Sequence, residues 1–452
     1  MSNQRGIVLL LALIISVLLS LIGLAVTFSG MNDYRISHEF ENLERTLALS
    51  DAGFNIAKNS LRGEDLSAVL ATSTSVPQYI SYIEPESGTY AFRNPLALIE
   101  ARNVNFNDPP ATVGTRQAKG WITAGEGTVI GNGRFFGKIT DNEDENPNDP
   151  DVDVDGMIYM RVLGVHPSAP SEVESYGGAI KNSVGIIEGL IKRDMSFDMG
   201  APFTVYGPDI DPNVTGFNGN AFLIQGDTQP AISVIYDDPL NGDAGTLQNS
   251  ITDELAPLQK DNLKGAEGED GISIRDDTQL VRDSENPDAT NIFSAEFLFN
   301  FTNKIASVAD YKYTDGTSLS GSNIELGTPD DPKITVVEGD FSLSGSGSGA
   351  GILVVQGTLE YQGAFDYDGL VLIIGEGSVS FGGANKSLTG GLFLANVVDN
   401  GDGSYSFGVP SFSLSGKSEF YFNSSNIKMG MSLLPMKTLS WREITPEIEP
   451  AE

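Results

Sequence analysis

The sequence predicts an α+β protein: a long N-terminal helix, then a mixed, mostly antiparallel β domain, then a glycine-rich all-β region. Three observations predict this class. An apolar run at residues 7–28 continues as an amphipathic helix, short apolar strands precede residue 200, and β runs repeat between residues 334 and 395. These patterns switch from the helical period to the strand period along the chain.

The apolar run from Ile7 to Phe28 is 22 residues long and contains no charge and no proline. As a helix it would be about 33 Å long, enough to cross a bilayer core of about 30 Å. Three interpretations are open: a plain transmembrane anchor, a cleaved secretory signal, and a helix kept after removal of the first six residues. A secretory signal usually has a shorter apolar core, and the helical pattern here continues past Phe28.

Residues 29–63 continue this helix as an amphipathic segment. Apolar residues recur at steps near three and four, there is no proline, and Gly63 is a stop signal. We expect the apolar stripe to pack against a sheet. Its members are Ile36, Phe40, Leu43, Leu47, Phe54, Ala57 and Leu61.

Residues 64–200 have the composition of an α+β domain with short strands bounded by glycine and proline. The pattern predicts the strands but not their order or register. The strand candidates are Tyr90–Phe92, Trp121–Thr123, Arg134–Ile139, Met157–Val165 and Val184–Lys192.

An acidic loop at residues 141–156 separates two of these strands. Asp151, Asp153 and Asp155 alternate and are followed by glycine, as at the start of an EF-hand calcium loop. The bidentate acid of such a loop would fall at Val162, and no helices flank the segment. A solvated acidic connection is therefore the simpler interpretation, and a Ca²⁺ site is the alternative. Asp141 and Asp144 could supply further ligands to it.

The region from residue 201 to 436 contains a β repeat. Runs that begin at Ile334, Ile352 and Leu370 are 18 residues apart, and a fourth begins 22 residues later at Leu392. One β run per unit of about twenty residues is typical of a β-helix, in which each turn stacks its apolar side chains on the last. A β-sandwich with glycine-rich turns is the alternative.

Charge and composition exclude several functions. The net charge of −34 would repel a nucleic-acid backbone, so no nucleic-acid partner is expected. The chain has no cysteine, which rules out disulfides and thiol chemistry. Asp366 and Asp368 lie two residues apart, as in some β-helix polysaccharide lyases and hydrolases, but turn residues explain them as well. A nucleophilic triad needs a histidine, and only His38 and His166 exist. We therefore predict that the protein is not an enzyme.

The N-terminal residues resemble the PilX-type minor pilins of the type IV pilin and pseudopilin superfamily. The resemblance rests on Gln4-Arg5-Gly6, on the run from Leu9 to Ala25 and on Ala48 to Ala57, and Ser440–Glu443 near the other end also takes part. It implies cleavage by a prepilin peptidase between Gly6 and Ile7, with methylation of the new N-terminus. The implied partners are other pilins and minor pilins, the pilus assembly platform and the peptidase.

One residue departs from the major-pilin pattern. Major pilins carry a glutamate five residues into the mature chain, where this sequence has Leu11. A lone carboxylate in lipid is costly unless it is paired, and in pilins its partner is taken to be the terminal amine of a neighbouring subunit. The leucine removes that attraction, which favours a place at the filament tip or a low-abundance role.

These inferences give a segment plan and a location. The single basic residue of the short leader, Arg5, predicts a cytoplasmic N-terminus. The C-terminal part would then be periplasmic or extracellular, on a single-pass protein of the bacterial inner membrane that contacts lipid through residues 7–28. The segments are a prepilin-type leader (1–6), a transmembrane helix (7–28), its amphipathic continuation (29–63), a pilin-like α+β domain (64–200), a β-rich domain (201–436) and a C-terminal tail (437–452).

The predicted function is that of a non-enzymatic minor pilin or pilin-like component of a type IV pilus. Such a subunit would initiate assembly, occupy the tip or adhere to surfaces. One alternative is a membrane-tethered β-helix protein that binds glycans or degrades polysaccharides. A second is a tip pseudopilin of a type II secretion system.

Overall fold

The structure is a computed structural model of the chain, and its described residues fall in thirteen ranges. They are 3–71, 93–96, 98–106, 120–123, 127–142, 156–167, 182–193, 199–213, 215–236, 246–268, 271–284, 289–383 and 386–444.

The first helix dominates the N-terminal part. Helix α1 spans Asn3–Ser60, 58 residues without a break, as the two joined helical patterns predict. The chain turns just beyond it, where Gly63 has a φ of +80°, a conformation that glycine adopts without strain. The other helices are shorter: α2 (Leu66–Ala71), α3 (Leu98–Arg102), α4 (Thr246–Asp253), α5 (Thr278–Arg282), α6 (Ala295–Ser307) and α7 (Ser424–Ser432).

An antiparallel five-stranded sheet packs against α1. Its strands are β1 (Thr128–Ile130), β2 (Gly133–Asp141), β3 (Met157–His166), β4 (Ser183–Arg193) and β24 (Met436–Ile444), in the order β1-β2-β3-β4-β24. A long helix on an antiparallel sheet, followed by a large strand-rich region, is an α+β arrangement, as predicted. We call residues 3–193 together with 436–444 the helix–sheet unit.

Three of the predicted strands, those near residues 134, 157 and 184, are confirmed as β2, β3 and β4. Trp121 makes only an isolated bridge to Lys138. Tyr90–Phe92 lie outside the described residues. The C-terminal strand differs from expectation: residues 437–444, predicted as tail, pair with β4 because an edge of the sheet is open to them.

The remaining strands belong to residues 199–434, which we call the head region. They are β5 (Phe203–Tyr206), β6 (Gly216–Asn218), β7 (Leu223–Gln225), β8 (Ile232–Ile235), β9 (Leu263–Lys264), β10 (Ile274–Asp276), β11 (Tyr311–Thr314), β12 (Thr317–Leu319), β13 (Ser322–Leu326), β14 (Lys333–Glu338), β15 (Phe341–Leu343), β16 (Ser346–Val355), β17 (Thr358–Tyr361), β18 (Ala364–Gly375), β19 (Ser378–Phe381), β20 (Lys386–Asp399), β21 (Tyr405–Phe407), β22 (Ser411–Ser415) and β23 (Ser418–Phe422).

The repeat seen in the sequence sets the register of these strands. Ile334 lies opposite Ile352, and Ile352 opposite Leu370, whereas Leu370 lies opposite Gly391, one residue before Leu392; all are parallel pairs. The intervening strands β15, β17, β19 and β22 form a second parallel set. Register partners are 18 to 21 residues apart in the first set and 18 to 33 residues apart in the second, and each repeat contributes one strand to each set.

The strands of the larger parallel sheet do not follow one another in chain order. Strand β5 pairs with β20, and β8 and β10 continue outward from it, whereas β18, β16, β14 and β11 lie on the other side of β20. One apolar core lies between the strand sets and includes Phe341, Leu359 and Phe412. A second lies under helices α6 and α7 and includes Leu298, Ile352 and Met431.

Candidate functional site: an exposed apolar helix seated on a sheet

The first half of α1 has no protein around it. Every described residue from Leu9 to Phe28 is exposed, and the apolar side chains of this span include Leu9, Leu19 and Val26. None of the most apolar eighteen residues of this segment is buried. A contiguous apolar surface of this size marks a site of contact with lipid or protein. By length and composition it is long and apolar enough to cross a membrane.

The second half of α1 is seated on the sheet through small and polar residues. Its buried face contains Thr46, Ser50, Gly53 and Ala57 as well as the larger Phe54. The helix can come this close because glycines line the strands beneath it. A Cβ on Gly185 would lie 2.8 Å from the backbone carbon of Thr46, too close for any side chain.

Ser50 ties the helix backbone to two strands at this point. Its Oγ accepts a hydrogen bond from the amide of Gly164 in β3 and donates one to the carbonyl of Gly185 in β4, each 2.8 Å long. Buried hydroxyls that are satisfied in this way fix the packing rather than weaken it. The register of α1 on the sheet is therefore set by specific contacts.

The predicted apolar stripe of α1 is only partly the buried face. Phe54, Ala57 and Leu61 are buried as expected, but Ile36 and Phe40 are exposed. Among the α1 side chains that the structure describes, the first buried one is Asn42, so Ile36 and Phe40 of the stripe remain uncovered. The buried face of α1 also includes polar residues, Thr46 and Ser50, that were not in the predicted stripe. The glycines of the sheet bring the backbones close together, and only small side chains fit between them.

A charged row crosses the other face of the same sheet. Glu188 in β4 lies between its register partners Arg161 in β3 and Arg442 in β24. Arg442 donates from Nη2 and Nε to Glu188 Oε1 over 2.7 and 3.1 Å, and Arg161 donates from Nε to Oε2 over 2.9 Å. Burial alone would raise the pKa of Glu188, but the two arginines and the nearby Arg93 outweigh it and lower that pKa.

Two arginines join the helix–sheet unit to the head region. Arg193, at the end of β4, donates to the carbonyls of Leu61 and Glu64 after α1 and to that of Ser432, the last residue of α7. Arg62 donates to the carboxylate of Asp310 over 3.0 Å. The loop after α1 thus meets the head at a defined, polar contact.

The predicted processing and packing residues lie on the exposed helix. Gly6 and Ile7 fall within its first turns. The side chain of Leu11 is 55% exposed, so the position where major pilins carry an acid is open to a neighbour. Nothing within the chain covers this surface among the described residues.

The predicted calcium residues lie mostly outside the described residues. Asp141 is described: it ends β2 and is buried. Asp144, Asp151, Asp153 and Asp155 are not described, so the Ca²⁺ site stays a prediction. Within the described ranges, no group of three or more acidic or histidine side chains is arranged to hold a metal ion.

The structure places Asp366 and Asp368 side by side on β18, where each is held by the fold. Asp366 accepts hydrogen bonds from the amide and hydroxyl of Ser387, and Asp368 accepts one from the amide of Asn426. Burial raises the pKa of Asp368. The two histidines of the chain lie elsewhere, His38 in α1 and His166 in β3.

Comparison with known proteins gives little further guidance. No family model and no curated protein matches the chain. Among solved structures, the competence-associated pilin ComZ from Thermus thermophilus aligns with 89% of this chain and 97% of its own, at 11% sequence identity and a TM-score of 0.21. A likeness of this degree does not define a family.

Proposed function

We propose that this chain is a minor pilin or pilin-like subunit that assembles through α1 and presents its head region outward. The observation that carries the proposal is the continuity of α1. Its exposed apolar half runs without a break into the half that is seated on the antiparallel sheet. A helix that only anchors a domain in a membrane can be joined to it by a flexible linker. A helix that packs among other helices in an assembly needs a rigid connection if it is to hold its domain in a fixed orientation.

The proposed partners follow from this helix. Other pilins would pack against residues 7–28 in the membrane and then in a filament, and the assembly platform and prepilin peptidase would act on the same segment. The N-terminus would be cytoplasmic and the head periplasmic or extracellular. The resemblance of Gln4-Arg5-Gly6 to a prepilin leader supports this orientation.

We interpret the head region as a β-helix. Its strands pair in parallel with their counterparts one repeat away, and the repeats alternate between two strand sets. The antiparallel sheets of a β-sandwich would pair differently. The polar outward rows of such a stack, which include Ser342, Glu360 and Ser380, offer a surface for adhesion rather than a catalytic cleft.

Two features favour a tip or low-abundance position. The head region is larger than the helix–sheet unit that carries it, so it would obstruct close packing along a filament shaft. Leu11 also lacks the carboxylate that would draw the helix beneath an earlier subunit. Both features support sparse incorporation and a non-enzymatic role.

The mature N-terminus tests the proposal. N-terminal sequencing and intact-mass measurement of the native protein should give a chain that begins at Ile7 with one added methyl group. A Gly6→Val variant, with Arg5→Lys as a conservative control in the same leader, should retain the full-length mass. A native chain that still begins at Met1 or Ser2 would contradict the pilin role and point to a membrane-tethered glycan-binding protein.

A further inference from the structure

The chain passes between the helix–sheet unit and the head at two places. It leaves after Arg193 at the end of β4, and it returns at Met436 at the start of β24. These two residues are direct partners in the β4–β24 ladder. Antiparallel strands that meet in this way are commonly joined by a two-residue turn. Here residues 194–435 stand in place of that turn.

The first described residue of the head lies beside its last helix. Met199, its first described residue, and Ile427 of α7 both lie over Gly391 in β20. A Cβ on that glycine would come within 2.7 Å of the Met199 sulfur and 3.1 Å of Ile427 Cδ1. Close termini are what allow one domain to be inserted into another without distorting it.

The apolar cores divide at the same two places. The two clusters of the helix–sheet unit draw their buried members from residues 54–191 and from Met436. The two clusters of the head draw theirs from residues 199–434. Among the described residues, no hydrophobic cluster has members from both parts. Each part therefore buries its own core, which is the physical requirement for a domain.

Several hydrogen bonds join the two parts among the described residues. The amide of Gly63 donates to the carbonyl of Ser432 over 2.8 Å, and Arg62 reaches the carbonyl of Leu433 and the carboxylate of Asp310. Interfaces between domains of one chain are typically more polar than obligate interfaces.

We propose that the head is an independently stable domain inserted into the turn of the β4–β24 hairpin. The helix–sheet unit then holds the assembly function, and the inserted domain holds the recognition function. The division follows from the ladder and the cores alone, so it would stand even if the helix served another kind of assembly.

Reciprocal substitutions in the full-length protein test this inference. Gly369→Ala should loosen the head, because Gly369 has a φ of +142° and a Cβ there would overlap the carbonyl of Gly351. Gly164→Ala should loosen the seat of α1, since a Cβ would lie 2.6 Å from Ser50 Oγ. Gly216→Ala is the control, because a Cβ on Gly216 has nothing within 4 Å.

The measurement is hydrogen exchange by mass spectrometry on the full chain in detergent micelles. Gly369→Ala should raise exchange in β16, β18 and β20 by about tenfold or more and leave β2, β3 and β4 unchanged, and Gly164→Ala should do the reverse. Exchange that rises in both parts with either variant would overturn the inference. If a variant cannot be produced, urea unfolding of the wild-type chain decides: two transitions support the inference, and one shared transition overturns it.

Discussion

Gly164 and Ser50 meet across the interface between the sheet and α1 at a distance that only a glycine permits. The amide of Gly164 donates to Ser50 Oγ over 2.8 Å, and a Cβ at residue 164 would lie 2.6 Å from both that oxygen and the carbonyl oxygen of Thr46. The backbone of β3 therefore rests directly on the helix, and this contact positions the whole exposed segment of α1.

The first prediction concerns this contact. Gly164→Ala should destabilise the helix–sheet unit by about 2 kcal/mol, because an added methyl group must push α1 away from the sheet and overpacking costs about 1–3 kcal/mol. Thermal unfolding followed by circular dichroism would measure the loss. Gly216→Ala should change the midpoint little by comparison. Equal effects from the two substitutions would contradict the close packing described for α1.

The second prediction concerns Glu188 and its pH dependence. Glu188→Gln should destabilise the protein at neutral pH by about 3 kcal/mol, because it leaves Arg161 buried without its counter-charge. The pKa of Glu188 is lowered in the folded state. Its contribution is therefore present above the unfolded pKa of about 4.3 and is lost as the pH falls through the folded-state pKa.

Urea unfolding at several pH values would check both parts of this prediction. The difference between wild type and Glu188→Gln should shrink as the pH falls below the unfolded-state pKa of about 4.3 and should be lost below the lower pKa of the folded state. Glu443→Gln is a matched control, because Glu443 is exposed on the same sheet. A difference that stays constant down to acid pH would show that the charge of Glu188 is not what stabilises the row.

The helix α1 and the repeated strands of the head could be predicted, because each is encoded by a pattern within a short stretch of sequence. The helical period marked α1, and the 18-residue spacing of Ile334, Ile352 and Leu370 predicted their register. The contact between α1 and the sheet was harder to predict, since Thr46 and Ser50 interrupt the apolar stripe of the helix. Their role depends on glycines more than a hundred residues away, which no local window contains.

The C-terminal strand was missed for a similar reason. Its residues alternate weakly and end in charges, so they were predicted to be a tail, yet they complete the ladder on β4. Pairing between strands separated by an inserted domain leaves no trace in either strand alone. The row of Arg161, Glu188 and Arg442 was also beyond prediction, because its members meet only once that ladder forms.

The third prediction concerns the stacked glycines of the head. Gly351, Gly369 and Gly390 are register partners in β16, β18 and β20, and all three have positive φ. Gly369→Ala should destabilise the head by about 3 kcal/mol or more, from backbone strain together with overlap on Gly351. Gly216→Ala again provides the control. Urea unfolding followed by hydrogen exchange in β18 would measure the loss, and an unchanged midpoint would argue against the close backbone packing at this row.

The fourth prediction tests the proposed role of Leu11. If the lack of an acid at residue 11 limits incorporation, Leu11→Glu should raise the amount of this protein recovered with sheared filaments by about tenfold. A tenfold change corresponds to a pairing of the new carboxylate with a neighbouring terminal amine that is worth about 1.4 kcal/mol. Leu19→Glu is the matched control, since Leu19 is also exposed on the same helix, 63% against 55% for Leu11, but has no partner expected for an acid. Quantitative immunoblots of filament and membrane fractions would decide. Equal recovery of the two variants would contradict the role of residue 11.

The last prediction concerns a lysine buried in the head. Lys386 donates from Nζ to the carbonyls of Tyr361 and Gly382, and desolvation by burial lowers its pKa to about 8. An unfolded lysine has a pKa of about 10.4, so between these values the unfolded chain binds more protons than the folded one. Stability supplied by this residue must therefore rise with pH across that window.

Comparison of wild type with Lys386→Met isolates this effect. Methionine matches the length of the buried side chain without its charge, so the wild type should gain stability relative to the variant as the pH rises from 8 to 10. Lys417→Met is the control, because Lys417 is an exposed lysine of the head, next to Glu419. Urea unfolding at pH 7, 8, 9 and 10 would measure the two differences. A stability difference for Lys386→Met that does not change with pH would contradict this prediction. It would mean that water hydrates the ammonium group of Lys386 in the folded protein.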